Sequence, residues 1–242
     1  MNLHLLQLPD FEFNDEPLRC VLDRAESDQC IRLARAQDRR RSITARALLR
    51  CVVSDHVGLL PRDVTVERCV HGRIQPIPLD CASRVYVSLA AAGRFVAAAA
   101  SREMPVGVDV EPISEERFPL GLAEEILSPR EMRVFVGLPA DKRTAWLSRA
   151  WVMKEAVLKT LGLGLFSSPS ELDTGLDATD LSDGRRLNWR RLPELANTQV
   201  CDFRWHGASV GVATGGRPEL RCNEATIEAV VAACRGRSIP VS

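Results

Sequence analysis

Residues 107–113 read GVDVEPI, an apolar run interrupted by two carboxylates two positions apart. Val108, Val110 and Ile113 suit a strand entering a core, and residues i and i+2 of a strand share a face. Asp109 and Glu111 therefore point the same way. A fold that accepts this stretch must either give that face to water or set positive charge against it.

The bulk properties narrow the choices. A chain of 242 residues has room for one large domain or two small ones. Its formal net charge is zero, so no field of either sign favours bulk nucleic-acid or membrane-surface binding. No uninterrupted apolar run approaches the ~20 residues a membrane span needs. The opening MNLHLLQLPDFEF lacks a basic leader and reaches Asp10 too early for a secretory core. The eight cysteines form no C-x-x-C pair and read as free thiols in a reducing cytosol. A cytoplasmic protein acting as a monomer is expected, with neither nucleic acid nor membrane as partner.

Of the 32 basic residues only Lys142, Lys154 and Lys159 are lysines. Two of these fall five residues apart, which points to a place where a compact ammonium suits better than a planar guanidinium.

Residues 16–36 and 37–57 read as two helices. In the second, Ala45, Leu48, Leu49 and Val52 share one side while Arg39, Arg46 and Arg50 share the opposite one. VTVERCV, RVYVSLA, RFVAAAAS and VGVDVEPI follow as strands, separated by turns at Gly72, Pro76 and Gly93. Past Pro112 the texture turns helical. Ser128, Pro129 and Glu131 predict a capped start, a longer helix covers about 141–161, and FRWHGASVGVAT returns to strand. Without regular βαβ alternation this order favours an α+β fold in two lobes, residues 1–112 and 113–242.

The long helix carries WVMKEAVLKTLGLG, which places Trp151, Glu155 and Lys159 four apart on one stripe. A carboxylate and an ammonium on adjacent turns suit a phosphate: Lys159 neutralises it, and Glu155 binds a metal or takes a proton. The plain alternative is an exposed ion pair worth a few tenths of a kcal/mol. Asp109 and Glu111 joined to Glu155 make a three-carboxylate oxygen set of the kind Mg²⁺ takes together with substrate phosphates. His4, His56, His71 and His206 are scattered, and Trp146, Trp189 and Trp205 read as core.

GVDVE followed about forty residues later by WVMKEAVLK resembles the paired signatures of the 4′-phosphopantetheinyl transferases of the larger, surfactin-synthetase type. DRRRSITARALLR, HGRIQP, AEEILSPREM and LGLGL resemble further segments of that family. The resemblance implies two similar α+β lobes related by a pseudo-twofold, with the active site in the cleft. It also implies transfer of phosphopantetheine from coenzyme A to a serine of an acyl- or peptidyl-carrier protein, with Mg²⁺ and release of 3′,5′-adenosine bisphosphate. By that likeness Asp109, Glu111 and Glu155 are Mg²⁺ ligands and Glu155 is also the base. Lys159 and Asp109 meet the pyrophosphate, and Trp151 and Lys154 open the second signature. Arg41, Ser42, Gly72, Arg73 and Ala91 fall at coenzyme A positions, with Ile74 where proline is usual.

One segment departs from the family. Ala90, Ala91 and Ala92 stand where it carries Ser-His-Ser, which removes three side-chain donors to the coenzyme A phosphates. Losing charge-assisted contacts costs roughly 1.5–3 kcal/mol each. Arg94 or the Arg39, Arg46, Arg50 stripe is a candidate substitute. A degenerate homologue that only binds a carrier protein or coenzyme A is the alternative reading; another Mg²⁺-dependent phosphoryl enzyme is a third.

Overall fold

The computed structural model describes residues 1–68, 74–76, 84–162, 168–178, 189–192, 195, 197–216 and 219–236. In chain order these form β1 (Asn2–Gln7), α1 (Glu16–Arg19), α2 (Arg24–Ile31), α3 (Ala36–Val57), β2 (Val66–Arg68) and β3 (Ile74–Pro76). Next come β4 (Tyr86–Ala92), β5 (Phe95–Ser101), β6 (Val106–Pro112), α4 (Ala123–Ile126), α5 (Pro129–Gly137) and α6 (Ala140–Leu161). The chain closes with β7 (Arg190–Arg191), β8 (Gln199–Trp205), β9 (Ala208–Thr214), β10 (Arg221–Ala225) and α7 (Ile227–Cys234). Helices and sheets are mixed without βαβ alternation, as an α+β fold requires. Among the described residues no helix is long and apolar enough to cross a membrane.

Packing divides the chain into two compact units, Met1–Met104 with Glu219–Ser242, and Pro105–Pro218. The expected division at residue 112 does not coincide with them. β6 pairs along its whole length with β9, and β10 returns to run parallel to β1, so both segments belong with their ladder partners.

In the first unit the sheet order is β10-β1-β5-β4. Ala45, Leu48, Leu49 and Val52 of α3 are all buried, as their spacing demands, and pack with Ala98 and Ala100 of β5. The helix ends at Gly58, whose φ of 73° opens the left-handed cap and lets its N–H donate to Ser54 O. The expected single helix over 16–36 is instead two short ones. Asp23 accepts from Glu26 N at 2.8 Å while Glu26 accepts from Asp23 N, and this capping box starts a new helix.

The second unit holds a sheet of order β6-β9-β8-β7 with α6 across one face. The helix lies unusually close. A Cβ added at Gly107 would sit 1.9 Å from Ala156 O, and one at Gly211 would sit 2.1 Å from Val152 O. Gly107 and Gly211 thus mark the sheet face that α6 covers, and strand alternation puts Asp109 and Glu111 on it. The other side of α6 buries Trp146, Leu147, Ala150 and Met153 against α4 and α5 residues such as Ile126 and Phe135. Ser128 caps α5 in a complete capping box with Glu131, as the sequence predicts. FRWHGASVGVAT returns to strand as expected and holds the turn of the β8–β9 hairpin, at His206 and Gly207 with φ of 48° and 81°.

Candidate active site

The like charges of β6 meet cations. Lys159 Nζ donates to Asp109 Oδ1 at 2.7 Å and to Val108 O at 3.0 Å. Arg117 grips Glu111 with both arms, Nε donating to Oε2 at 2.7 Å and Nη2 donating to Oε1. Sequence reasoning missed Arg117 because it lies in the loop past β6. Its local signal is the Ser114 turn, in which Arg117 N donates to Ser114 Oγ and Phe118 N to Ser114 O. Phe118 is buried, so the turn is pinned by the core beneath it.

Asp109 and Glu111 are 6% and 5% exposed, which makes their charges expensive unless matched. Burial pushes the Glu111 carboxyl above its ordinary range, with Arg117 opposing the shift and Asp109 adding to it. Burial also raises Glu155, the negative charge of Asp109 raises it further, and Lys159 pulls it back. The charges of the three carboxylates and Lys159 therefore act on one another, as the two motifs suggest.

The carboxylates are not gathered into a cage. Among the described residues no three His, Cys, Asp or Glu side chains are placed to hold a metal ion. Two ion pairs hold the carboxylates of β6: Lys159 takes one oxygen of Asp109, and Arg117 takes both of Glu111. Asp109 Oδ2 is buried and has no hydrogen-bond partner. A buried carboxylate oxygen left bare is costly, and a divalent cation is a ligand that satisfies it. The donor set is all oxygen, which suits a hard cation.

Row by row the sheet extends this chemistry. Asp109 faces Gly211 across β9, and Gly211 faces Asp202 of β8. Asp202 is engaged by Arg149 from α6 through both oxygens. Lys154 sits on the same helix but does different work. It is fully buried and donates to Ile126 O, Pro169 O and Leu172 O at 2.6–2.9 Å, with Glu131 Oε2 at 2.5 Å. Glu131 in turn accepts from Ser128 N, Thr174 N and Thr174 Oγ1. Burial lowers the Lys154 pKa, and Glu131 restores part of it. A tetrahedral ammonium fits this converging set of oxygens, where a planar guanidinium would not.

In the first unit, Arg41 donates to Gly93 O at 3.0 Å and pairs with Asp38 at 2.8 Å, next to the turn that follows Ala91. Ser42 is engaged by Arg46 and by the Cys30 thiol. Ala91 is exposed near the end of β4. The arginines suggested as substitutes for the missing donors are committed elsewhere. Arg39 donates to Leu33 O and Ala34 O, Arg46 to Gln29 Oε1, and Arg94 to Leu8 O and Asp10. Arg50, grouped with Arg39 and Arg46 opposite the apolar side, is 2% exposed and held by Val21 O and Glu26. Gly72, Arg73 and His71 lie outside the described residues.

With this geometry in hand, residues 105–222 match the 4′-phosphopantetheinyl transferase superfamily, and the match takes in β6 and α6 with all four charged candidates. Over these residues the chain is similar to that superfamily, and relatives named for the activity mark it as an enzyme of the 4′-phosphopantetheinyl transferase class. HetI of Nostoc sp., named a 4′-phosphopantetheinyl transferase, is 26% identical over 186 residues, 74% of this chain and 76% of HetI. A Synechocystis protein named as a candidate for the same activity is 27% identical over 188 residues, covering 76% of this chain and 73% of its own. The Bacillus pumilus transferase psf-1 is 28% identical over 128 residues, 53% of this chain and 52% of its own.

Proposed function

We propose that this protein transfers 4′-phosphopantetheine from coenzyme A to a serine of an acyl- or peptidyl-carrier protein, in the manner of the surfactin-synthetase type. The observation that carries this reading is the bare Asp109 Oδ2, buried beside Lys159 and within electrostatic reach of Glu155, inside the region that matches the superfamily. A Mg²⁺ ion held by Asp109, Glu111 and Glu155 would supply charge neutralisation for the pyrophosphate.

The chain's own residues do the rest. Lys159, about a third exposed, turns from Asp109 to donate to a pyrophosphate oxygen and offsets charge on the departing 3′,5′-adenosine bisphosphate. Glu155, with its proton affinity raised by burial, removes the proton from the carrier serine hydroxyl as that oxygen attacks the β-phosphorus. Arg117 must release Glu111 before that carboxylate acts as a ligand. Arg41, Ser42, Gly72, Arg73 and Ala91 are assigned to the nucleotide end of coenzyme A. Action as a cytoplasmic monomer completes the proposal.

The test is the intact mass of an apo carrier protein incubated with the chain, coenzyme A and Mg²⁺. The phosphopantetheine addition is expected, lost when the metal is chelated. One observation favours the degenerate, binding-only reading: Arg39, Arg46, Arg50 and Arg94 are all engaged away from the alanine triplet. No addition across several carrier types at millimolar coenzyme A decides for that reading.

A further inference from the structure

Cys51 lies in the last third of α3 and Cys234 is the final residue of α7. They are 183 positions apart in sequence, yet their sulfurs are 3.8 Å apart, in hydrogen-bond contact. Both are free thiols; Cys51 is buried and Cys234 is partly exposed. Each sits on a helix that the core holds in place: Leu48, Leu49 and Val52 are buried around Cys51, and Ile227, Val230 and Ala233 anchor α7. The two sulfurs are thus brought together by packing, and about 2 Å of approach would make a bond of normal length.

The contact divides the two roles of thiol–disulfide exchange. The Cys51 thiol, sharing a hydrogen bond with Cys234 and buried, holds its proton more firmly than a free cysteine. Cys234, lowered by its contact with Cys51, gives up its proton more readily, and it is the more exposed residue of the two.

We infer that Cys51 and Cys234 form an oxidation-dependent disulfide that fastens the C-terminal β10–α7 segment to the long helix of the first unit. The oxidant is a low-molecular-weight disulfide such as glutathione disulfide. The Cys234 thiolate attacks one of its sulfurs, forming a mixed disulfide and expelling one thiolate. Cys51 then attacks the Cys234 sulfur as its proton leaves, expelling the second. One Sγ–Sγ bond forms, one oxidant S–S bond is reduced to two thiols, and the two cysteine protons end on those thiols. The physical consequence is local. A C-terminal segment frays readily, and α7 is held by apolar contacts while β10 is held by its ladder with β1. A cross-link spanning 183 positions closes a long loop, the case in which unfolded-state entropy falls most.

The full-length chain is titrated with mixtures of glutathione and glutathione disulfide, acid-quenched and digested without reduction. A Cys222→Ser background is used because trypsin otherwise releases Cys222 and Cys234 on one peptide. The expected result is a linked pair of peptides holding Cys51 and Cys234, a mass lower by two hydrogens, and a melting temperature raised by about 5–10 °C that dithiothreitol reverses. Cys234→Ser and, separately, Cys51→Ala abolish the linkage and the shift. Glutathione adducts on Cys20 or Cys234 without a link to Cys51 overturn the inference, as does a linkage that leaves the melting temperature unchanged.

Discussion

Both units lay a 22-residue helix against antiparallel strands, and they fill that contact with opposite chemistry. In the first, α3 meets the alanines of β5, and β4 ends in three more at Ala90, Ala91 and Ala92. In the second, α6 is set down on glycines, backbone close, with Asp109, Glu111 and Asp202 around the contact and Arg149, Glu155 and Lys159 supplied by the helix. Small side chains bring helix and strand together in both. Only where the neighbouring strand positions carry carboxylates does the close approach bury charge that must be matched. Architecture alone therefore does not locate chemistry; the charged rows do.

The largest effect expected of this difference is structural. Lys154 and Glu131 form a fully buried pair tied into three carbonyls and two backbone N–H groups. Lys154→Met strands Glu131 without its counter-charge, and removing one partner of such a pair costs about 3–5 kcal/mol. A thermal melt should fall by about 10 °C. A fall under about 2 °C would show that the second unit does not depend on its buried charge.

Acid sets the two units in opposition. His4, buried in β1 and in contact with Asn223, has its pKa lowered to about 4, mainly by burial and secondarily by the charge of His56. Its folded pKa lies below its unfolded value of ~6.5, so the unfolded chain takes up protons first. The stability it lends is complete above that value and is lost as pH falls toward 4, to a total of up to about 3 kcal/mol. Partly buried His56 is shifted in the same direction, while Asp55, on the exposed end of α3, opposes them weakly. Glu111 and Glu155 have folded pKa values raised above the unfolded ones, so acidification relieves the second unit. Amide protection, taken relative to the intrinsic exchange rate at each pH, should fall in β1 and α3 between pH 7 and pH 5 and hold or rise in β6 and α6. Equal loosening of both would dissolve the distinction.

A smaller effect probes the alanine face itself. Ala91 is exposed, so a histidine there meets no packing clash. If the loss of donors limits coenzyme A binding, Ala91→His should tighten it about ten- to a hundredfold, the equivalent of an ionic hydrogen bond of ~1.5–3 kcal/mol. No gain would mean that backbone amides or Arg41 already serve the phosphates.

What the sequence disclosed follows from range. Helical and alternating periodicity located α3, α6 and β4 to β6, because those patterns are local. The carboxylate pair and the Glu155–Lys159 spacing disclosed which charges act on one another for the same reason, since strand and helix geometry fix which side chains share a face. The β1–β10 pairing was hidden because it joins the two ends of the chain. Arg117 was hidden because a loop has no period, and Arg50 because a basic residue on a helix is ordinarily solvated. Lys154 was singled out by composition alone, and its duty, gathering three carbonyls from two segments, became visible only with the fold.

The central claim is that the charged contact of the second unit performs the transfer while the first contributes binding. It is tested by measuring kcat and KM for coenzyme A, by intact mass of the carrier protein, for Glu155→Gln and Arg41→Ala. Glu155→Gln should keep its melting temperature and lose about 10²–10⁴ in kcat, the usual worth of a positioned base. Arg41→Ala should raise KM and leave kcat within a few-fold. A Glu155→Gln protein that keeps more than about a tenth of its kcat, or an Arg41→Ala protein that loses kcat without a change in KM, would contradict the account.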